Sequence, residues 1–477
     1  SRSASPCGAG FLPMAPPDLW LVSGEPLRGG LAAAAASAGE ARRLAAEELS
    51  LPPERVELVA SGCLLQDEDL LPQDFPGVVQ VCVVPEPPEL EEEFVSLAGA
   101  SCFDDLKRRE VLMLGGKGLT LLPERFGGLS SLEALRLHGN RLRLLPESFG
   151  LLQRLETLDL AGNRLAHLPS GFARLESLLV LNLRCNCLER LGESFGRLRA
   201  LRSLDLGGNQ LAALPEGFSS LTALAVLDLG RNKLGLLPTS FGQLAALQVL
   251  NLAGNLLTSL PDSFGCLTAL QELQAQGNQL SSLPCSFGQL AALKAASLQR
   301  NQLRTLPESF GQLSALRTVQ LHCNGLEALP KSFGRLSALR EVCLKHNRLA
   351  ELPESFAHLG ALRKADLHDN LLVMLPKNID QLPCLECLDL RSNRFTQLPE
   401  VLGGITALRA LDLRDNDLMA AAPGAELLAR VPAARLGRSP GWSPPGSPQR
   451  DVPLELHLWS DAAPALPRGS APESLVQ

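Results

Sequence analysis

The chain has 477 residues, a formal net charge of −7 and 45% hydrophobic residues. The charge is uneven, because residues 1–106 carry 5 Lys/Arg against 18 Asp/Glu, a net of −13 that leaves +6 for the remainder. Neither part has the clearly basic balance typical of nucleic-acid binding. No apolar run reaches the ~18–20 residues that a membrane-spanning helix needs. Composition therefore predicts a soluble protein with no nucleic-acid partner and no membrane span.

The cysteines bear on the compartment. Twelve are scattered along the chain, mostly at positions where a small apolar residue also fits. No cysteine cluster flanks the central repeats, and the sequence has no Asn-X-Ser/Thr sequon. These features favour a reducing, cytoplasmic location. The sequence starts at Ser1 rather than Met, so a preceding targeting segment stays open.

Residues 1–17 are predicted to be disordered, and residues 18–85 to form a small separate domain. Its elements are a strand at Leu19–Val22, a turn at Gly29–Gly30, a helix at Ala38–Leu49, the run LPPERVELVASGCLL at 51–65 and a strand at Val78–Val84. This order resembles a β-grasp, ubiquitin-like domain. The positions that match that family's LPPxxxxLxxxG core are Pro52, Pro53, Leu58, Val59 and Gly62.

The resemblance implies a hydrophobic recognition patch centred on Val59, with Cys82 beside it. Conjugating members of that family end in Gly-Gly, whereas here the last strand runs into PEPPELEEE. The domain is therefore expected to be built into the chain rather than transferred. The alternative is a small α/β cap of unrelated origin. Residues 86–105 are predicted to form an acidic linker and an N-terminal cap, with Glu86–Glu93 as a solvated linker.

Thirteen asparagines, from Asn140 to Asn416, follow one another at intervals of 23 residues without insertion or deletion. Before the first, Leu135 and Leu137 alternate with polar residues, which is the period of a half-buried strand. Asn140 ends that strand where the chain must turn. Because an amide side chain both donates and accepts, it can satisfy buried backbone groups of neighbouring turns at once. The ladder of asparagines therefore predicts stacked, bridged turns.

A second column holds eleven phenylalanines, Phe126 to Phe356, with Ile379 and Leu402 in the last two copies. One further copy precedes the ladder, with Lys117 in the asparagine position, as expected of a terminal repeat. A period of 20–29 residues with leucines at fixed offsets indicates a leucine-rich repeat solenoid. The predicted fold class is thus α/β, a horseshoe of about fourteen 23-residue repeats over 106–421.

The motif LxxLxLxxNxLxxLPxxFxxLxxL resembles the cytosolic class found in plant intracellular Ras-group leucine-rich repeat proteins and in the animal Ras–Raf scaffold. The order of the two domains is similar to that of plant and algal proteins that join a ubiquitin-like domain to these repeats. Beyond the repeats, residues 422–477 are rich in Pro and Ser and are predicted to be a disordered tail.

The concave strand face is where a site is expected. Cys323, His346 and Asp369 precede the ladder asparagine on three successive repeats, an order that suits a nucleophile set or a metal trio. An open, wet face without oxyanion donors disfavours both. The sequence predicts no enzyme activity, no metal and no cofactor.

A neutral glutamine tract followed by a cationic tract predicts a protein-binding surface, and the cationic part suits an acidic partner surface. The assigned residues are Gln274, Gln276, Gln299, Gln320, His322, Lys345, His346, His368, Arg391 and Arg414. Nearby aspartates (Asp366, Asp389 and Asp412) partly neutralise the cationic tract. A merely solvated face is the alternative.

Together these features predict a monomeric, non-catalytic adaptor. Its concave face would bind a protein partner, and its ubiquitin-like domain would link that partner to ubiquitin–proteasome components such as a ubiquitin receptor. The alternative is a Ras-type signalling scaffold in a small-GTPase pathway, in which the N-terminal module is only a cap.

Overall fold

The computed structural model describes residues 88–418, four N-terminal strands, Ala45 and residues 433–435. The N-terminal strands are β1 (Leu19–Leu21), β2 (Val56–Ala60), β3 (Cys63–Leu64) and β4 (Val79–Val83). They form one sheet in the order β1-β4-β2-β3, in which β1 is parallel to β4 and the other pairs are antiparallel. The strands predicted at 19–22 and 78–84 are therefore present. The predicted turn at 29–30, residues 1–17 and, apart from Ala45, the predicted helix at 38–49 lie outside the described residues.

The segment predicted to be a solvated linker is helical from residue 88, so the linker prediction is wrong for residues 88–93. Helix α1 spans Pro88–Leu97, and a short α2 spans Phe103–Leu106. Phe94 is 1% exposed, and its ring centroid lies 5.5 Å from that of Phe126 in the first repeat. The acidic run is helical because its apolar neighbours cover the open end of the repeat core.

The repeat array follows as one parallel sheet of fifteen strands in sequence order. Fourteen strands come from the predicted repeats and one from beyond them. The strands are β5 (Val111–Met113), β6 (Ala134–Arg136), β7 (Thr157–Asp159), β8 (Val180–Asn182), β9 (Ser203–Asp205), β10 (Val226–Asp228), β11 (Val249–Asn251), β12 (Glu272–Gln274), β13 (Ala295–Ser297), β14 (Thr318–Gln320), β15 (Glu341–Cys343), β16 (Lys364–Asp366), β17 (Cys387–Asp389), β18 (Ala410–Asp412) and β19 (Ala433–Arg435).

The last strand corrects the prediction for the tail. β19 lies within residues 422–477, which were predicted to be disordered, and it pairs in parallel with β18. An open sheet edge presents unpaired N–H and C=O groups, so a following segment that can pair with it is favoured. The other residues of the predicted tail lie outside the described residues.

The returning side of each repeat is a 3₁₀ helix. These helices span Glu124–Gly128, Glu147–Leu151, Ser170–Arg174, Glu193–Arg197, Glu216–Ser220, Phe241–Gln243, Asp262–Cys266, Cys285–Gln289, Glu308–Gln312, Phe333–Arg335, Glu354–His358, Ile379–Gln381 and Glu400–Gly404. A glycine follows most of the phenylalanines because neighbouring repeats approach closely there. A Cβ added at Gly242 would lie only 1.9 Å from the carbonyl oxygen of Ser263 in the next repeat.

The phenylalanine column forms a stacked spine inside the array. Eight of the ten pairs of neighbouring phenylalanines stack, with centroids 5.7–6.3 Å apart and ring planes within 6° of parallel. Strands in a sheet are only about 4.8 Å apart. Because the spine is longer per repeat than the sheet, the array curves with the strands on the inner side. The strand face is therefore concave, as predicted.

The asparagine ladder bridges the turns as the sequence predicts. Asn163 Nδ2 donates to the carbonyl oxygens of Leu137 in the preceding repeat and Leu160 in its own, each at 2.9 Å. Its Oδ1 accepts the N–H of Leu142 at 3.1 Å. All thirteen asparagines make this same set of three bonds. Lys117, which holds the equivalent position in the first repeat, is exposed.

Replacing a central ladder asparagine should destabilise the array strongly. Asn255 is 4% exposed, and Asn255→Ala leaves the Leu229 and Leu252 carbonyls and the Leu234 N–H without their partner. We expect a loss of roughly 2–5 kcal/mol in the free energy of unfolding, measured by denaturant titration followed by circular dichroism. The exposed Gln302→Ala is the control, with an expected change below about 0.5 kcal/mol. Equal effects of the two changes would contradict the bridging role.

Candidate protein-binding surface

Two columns of side chains line the concave face. The inner column lies four residues before each ladder asparagine and includes Asp159, Asn182, Asp205, Asp228, Asn251, Gln274, Ser297, Gln320, Cys343, Asp366, Asp389 and Asp412. The outer column lies two residues before each ladder asparagine and includes Ala161, Arg184, Gly207, Gly230, Ala253, Gln276, Gln299, His322, Lys345, His368, Arg391 and Arg414. Of the ten predicted binding residues of the array, all but Gln274, Gln320 and His346 belong to the outer column.

Most acids and amides of the inner column cap their own turn. Asp205 Oδ1 accepts the N–H of Gly207 at 2.8 Å, and Asp412 Oδ1 accepts that of Arg414 at 3.1 Å. Asn251 makes the same bond to Ala253. A side-chain acceptor two residues upstream is a common local substitute for a missing backbone partner. These acids therefore have a structural role before any functional one.

The predicted cationic tract is largely neutralised within the chain. Arg391 Nε lies 3.0 Å from Asp389 Oδ1, and Arg414 Nε lies 2.9 Å from Asp412 Oδ1. Arg414 is 3% exposed and Asp412 is fully buried. The hydrogen bond to Asp412 raises the pKa of Arg414 despite the opposing effect of burial. The two arginines thus contribute little net charge to the surface.

His368 is also paired with an acid. Its Nδ1 lies 2.7 Å from Asp366 Oδ1 and 3.6 Å from Asp389 Oδ2. Burial is the largest single effect on Asp366 and opposes its ionisation, but the hydrogen bonds and charge of His368, with the charge of Lys345, together outweigh it and lower the pKa of that carboxyl. The ligand atoms of these three residues lie within 4.8 Å of one another, as a metal site would require. The Arg391 Nη2, 2.8 Å from Asp389 Oδ2, already supplies a cation there, so no metal is assigned.

The possible nucleophile set is only partly assembled. His346 Nδ1 contacts the carboxylate of Asp369, and both residues are exposed. Within the described part of the chain, the Cys323 thiol makes no hydrogen bond with either of them. All three occupy left-handed turn positions, with φ of 54–55°. The arrangement is that of turn residues, without the contact between thiol and base that activation of a nucleophile needs.

The glutamine tract carries polar atoms that the described chain does not satisfy. The Oε1 atoms of Gln274, Gln276 and Gln299 are buried and have no hydrogen-bond partner. Gln274 is 3% exposed, whereas Gln320 and His322 are half-buried. A buried amide without a partner is costly, so a bound group that donates hydrogen bonds would stabilise this tract.

A basic stripe that sequence reasoning missed lies beside the concave face. It occupies the column seven residues before the ladder asparagine and comprises Lys294, Arg317, Arg340 and Arg363, with Arg409 beyond the interrupting Glu386; the five basic residues are exposed. The Arg340 N–H donates to the Arg317 carbonyl at 2.8 Å, and Arg363 donates to Arg340 in the same way. Within the described residues, the side chains of these three arginines form no ion pair. The repeated Ala-Leu-Arg at 315–317, 338–340 and 361–363 was the available signal.

The residues of the predicted ubiquitin-like patch lie on adjacent strands. In the pairing of β2 with β4, Val59 is opposite Gln80 and Glu57 is opposite Cys82. Val59 and Cys82 are thus diagonal neighbours in the backbone register. The N-terminal sheet is described only by its strands, so the recognition patch stays a prediction.

Asp205 is a buried carboxylate with one oxygen that has no hydrogen-bond partner. Asp205 is 2% exposed, its Oδ2 has no hydrogen-bond partner, and the nearest cation, Arg184 Nη1, is 3.9 Å away. Burial, with the charge of neighbouring Asp228, raises the pKa of Asp205 to about 7 against the opposing effects of the Gly207 N–H and Arg184. The carboxyl therefore titrates near neutral pH.

The part of the chain that matches known proteins is the repeat array. The family model described as "Leucine rich repeat" matches residues 110–165, 153–211, 214–257, 223–280 and 314–372, and a second model of that description matches 384–405. No curated protein matches. Among the described residues, no helix is long and apolar enough to cross a membrane.

Solved structures with a similar fold come from several kingdoms. A leucine-rich repeat protein of Leptospira interrogans is 34% identical with a TM-score of 0.61, over 67% of this chain and 81% of that one. The plant peptide hormone receptor RGFR1, in complex with RGF2, is 30% identical with a TM-score of 0.61, over 69% and 55%. A chain of the Drosophila Toll–Spatzle complex is 26% identical with a TM-score of 0.58, over 63% and 43%.

The stability of the protein should depend on the protonation of Asp205. Burial raises the pKa of Asp205 from 3.8 to about 7 in the folded state. The charged carboxylate therefore destabilises the folded state: the effect is absent below pH 3.8, grows as the pH rises and is complete above pH 7. Asp205→Asn keeps an oxygen for the Gly207 N–H but removes the charge. We expect the variant to be more stable than the wild type by about 1–4 kcal/mol at pH 8, with a smaller difference at pH 5. Denaturant titrations at both pH values, with the exposed Asp262→Asn as control, measure this; a difference independent of pH would contradict it.

Proposed function

Since the chain belongs to the leucine-rich repeat family, we propose that it is a non-catalytic adaptor that binds a protein partner on the concave face of its repeats. The observation that carries this proposal is the cluster of buried, unpartnered amide oxygens at Gln274, Gln276 and Gln299 on that face. Two similar solved structures are complexes, the peptide hormone receptor RGFR1 with RGF2 and Toll with Spatzle, and they support a protein partner here.

The partner surface that docks near the C-terminal half is acidic. Arg391 and Arg414 are engaged with their own aspartates, so the charge available to a partner comes from the basic stripe and from Lys345. Exposed arginines beside a tract of unsatisfied amides suit an acidic segment that also donates hydrogen bonds. Charges at such a rim speed association and select the partner, while the buried polar tract holds it.

The N-terminal module is a ubiquitin-like domain that links the bound partner to ubiquitin–proteasome components in the cytoplasm. The strand order β1-β4-β2-β3, in which β1 and β4 are adjacent and parallel, supports a β-grasp arrangement. The adjacency of Val59 and Cys82 supports a recognition patch on β2 and β4. The nine cysteines from Cys102 to Cys387 are free thiols, which supports a reducing compartment.

Reversing two charges of the basic stripe should weaken partner binding. Arg340→Glu with Arg363→Glu places carboxylates opposite an acidic partner, and we expect affinity to fall by roughly 10–100-fold, mainly through slower association. Affinity capture with the wild-type chain supplies the partner, and surface plasmon resonance gives the rates. Lys331→Glu with Arg335→Glu makes the same charge change at exposed positions on the 3₁₀ side of the array. Equal losses in both variants would show that net charge, rather than the stripe, governs binding.

Removing residues 1–87 should separate the two roles proposed for the N-terminal module. The deletion spares α1, which begins at Pro88 and covers the repeat core. An adaptor should keep its captured partner and lose ubiquitin receptors from the same capture, as quantified by mass spectrometry. Retention of both partner and signalling output, with no ubiquitin receptor captured by the full chain, would favour the Ras-type scaffold in which the module is only a cap.

A further inference from the structure

The inner column holds aspartates in two different settings. In the C-terminal repeats, the residue two positions after the aspartate is a base that pairs with it, as in Asp389 with Arg391 and Asp412 with Arg414. In β9 and β10, the same position after Asp205 and after Asp228 is a glycine. The position two residues after the inner-column aspartate is therefore basic in the C-terminal repeats and has no side chain at β9 and β10.

The C-terminal pairs show where a cation sits in this geometry. Arg414 Nε lies 2.9 Å from Asp412 Oδ1 and 3.0 Å from Oδ2, while its own N–H bonds the same Oδ1. The guanidinium thus lies over both carboxylate oxygens from the concave side. Arg391 repeats the arrangement on Asp389, with Nε 3.0 Å from each oxygen.

The N-terminal pair has the same turn but no basic residue two positions after either aspartate. Gly207 N–H bonds Asp205 and Gly230 N–H bonds Asp228, at 2.8 and 2.7 Å. Asp228 also accepts a bond from Asn251 Nδ2 at 3.0 Å. Asp205 Oδ2, in a side chain that is 98% buried (2% exposed), has no hydrogen-bond partner. This oxygen is the equivalent of the one that Arg414 covers in Asp412.

The charge around this pair is unbalanced. Arg184 on the preceding strand is the neighbouring cation, it is half exposed, and its Nη1 lies beyond hydrogen-bond reach of Asp205. One arginine faces two carboxylates, with Asp159 adding further negative charge. A buried carboxylate without a paired, hydrogen-bonded cation is unfavourable, and the raised pKa of Asp205 reflects this.

We propose that the Asp205–Asp228 pair binds the guanidinium group of an arginine side chain supplied by a protein partner, in the position that Arg414 occupies over Asp412. A planar guanidinium can bond both oxygens of a carboxylate, which a lysine ammonium cannot match. The inference rests on the proposed function, since it identifies one contact that the partner makes. It also assigns the concave face an arginine-binding segment at β9–β10, on the N-terminal side of the acid-binding basic stripe.

The test uses the full chain labelled with ¹³C at the aspartate carboxyl carbons and N-acetyl-arginine amide as the probe. N-acetyl-citrulline amide, which has nearly the same shape and no charge, is the matched control ligand. The arginine probe is expected to shift the Asp205 resonance and to move its titration midpoint to lower pH, while the citrulline probe leaves both unchanged. Asp205→Asn assigns the resonance by its loss.

Two variants separate a specific site from general charge attraction. Gly207→Arg recreates the C-terminal arrangement. Its added Cβ would lie 3.1 Å from Asp205 Oδ1 and 3.2 Å from Asp228 Oδ1, a close contact that a small shift of these side chains relieves. It should lower the Asp205 midpoint without any probe and abolish the response to the arginine probe. Ala253→Arg adds the same charge two residues after Asn251, whose side chain is an amide in place of the carboxylate, and should leave the response intact. Asp228→Asn, which needs no added volume, should weaken probe binding by roughly fivefold or more.

The proposal is overturned if the arginine and citrulline probes act alike on Asp205, or if Ala253→Arg abolishes the response as fully as Gly207→Arg does. No protein partner enters this experiment. Its failure would therefore remove the arginine site while leaving binding at the basic stripe untouched, and loss of partner capture in the stripe variants would leave the arginine site standing.

Discussion

The fold depends on one hydrogen-bonded unit, the buried asparagine that ties each turn to the turn before it. A solenoid of three-residue strands has little backbone pairing to hold each coil, and the turn that follows every strand buries polar groups. Asn163 supplies two donors and one acceptor to three such groups in two adjacent repeats. Each repeat contacts only its neighbours, so the continuity of the array depends on an asparagine bridge at every turn. Loss of one bridge would weaken the contact between the two repeats that it joins.

The polar side chains of the concave face are of two kinds: those that bond to other groups of the chain and those that have no partner within it. The inner aspartates close their turns, as Asp205 does with Gly207, and the C-terminal arginines neutralise the aspartates beside them. What remains for a partner is the set of groups that the chain does not satisfy. These are the glutamine oxygens of the central repeats, the basic stripe at the strand entrances and the Asp205 carboxylate. The available chemistry is thus neutral in the centre, basic towards one end and acidic towards the other.

The comparison of Arg414 with Arg340 shows what sequence reasoning could not tell about the cationic residues, namely which of them are paired with an acid. Both arginines lie in columns of the same 23-residue period, and the period alone does not predict which of them is available to a partner. Arg414, however, follows an aspartate by two residues at a turn whose geometry folds the guanidinium back onto the carboxylate. Arg340 directly precedes its strand and is exposed, and among the described residues its side chain forms no ion pair. Accessibility and pairing of a charge are properties of the turn, which composition and spacing do not express.

The sequence by itself determined the repeat, its period, its strand and turn positions, the bridging asparagines and the buried spine. These follow from local rules repeated thirteen or more times, so each copy corroborates the others. Only the tertiary structure decided that residues 88–97 are a cap helix, that β19 extends the sheet and which polar atoms are left unsatisfied. Those outcomes depend on contacts between residues that are 23 or more positions apart, or on an open edge, and such contacts have no periodic signature in the chain. Where identical columns carry different residues, as at Gly207 and Arg414, it is the packed environment that separates scaffold from site.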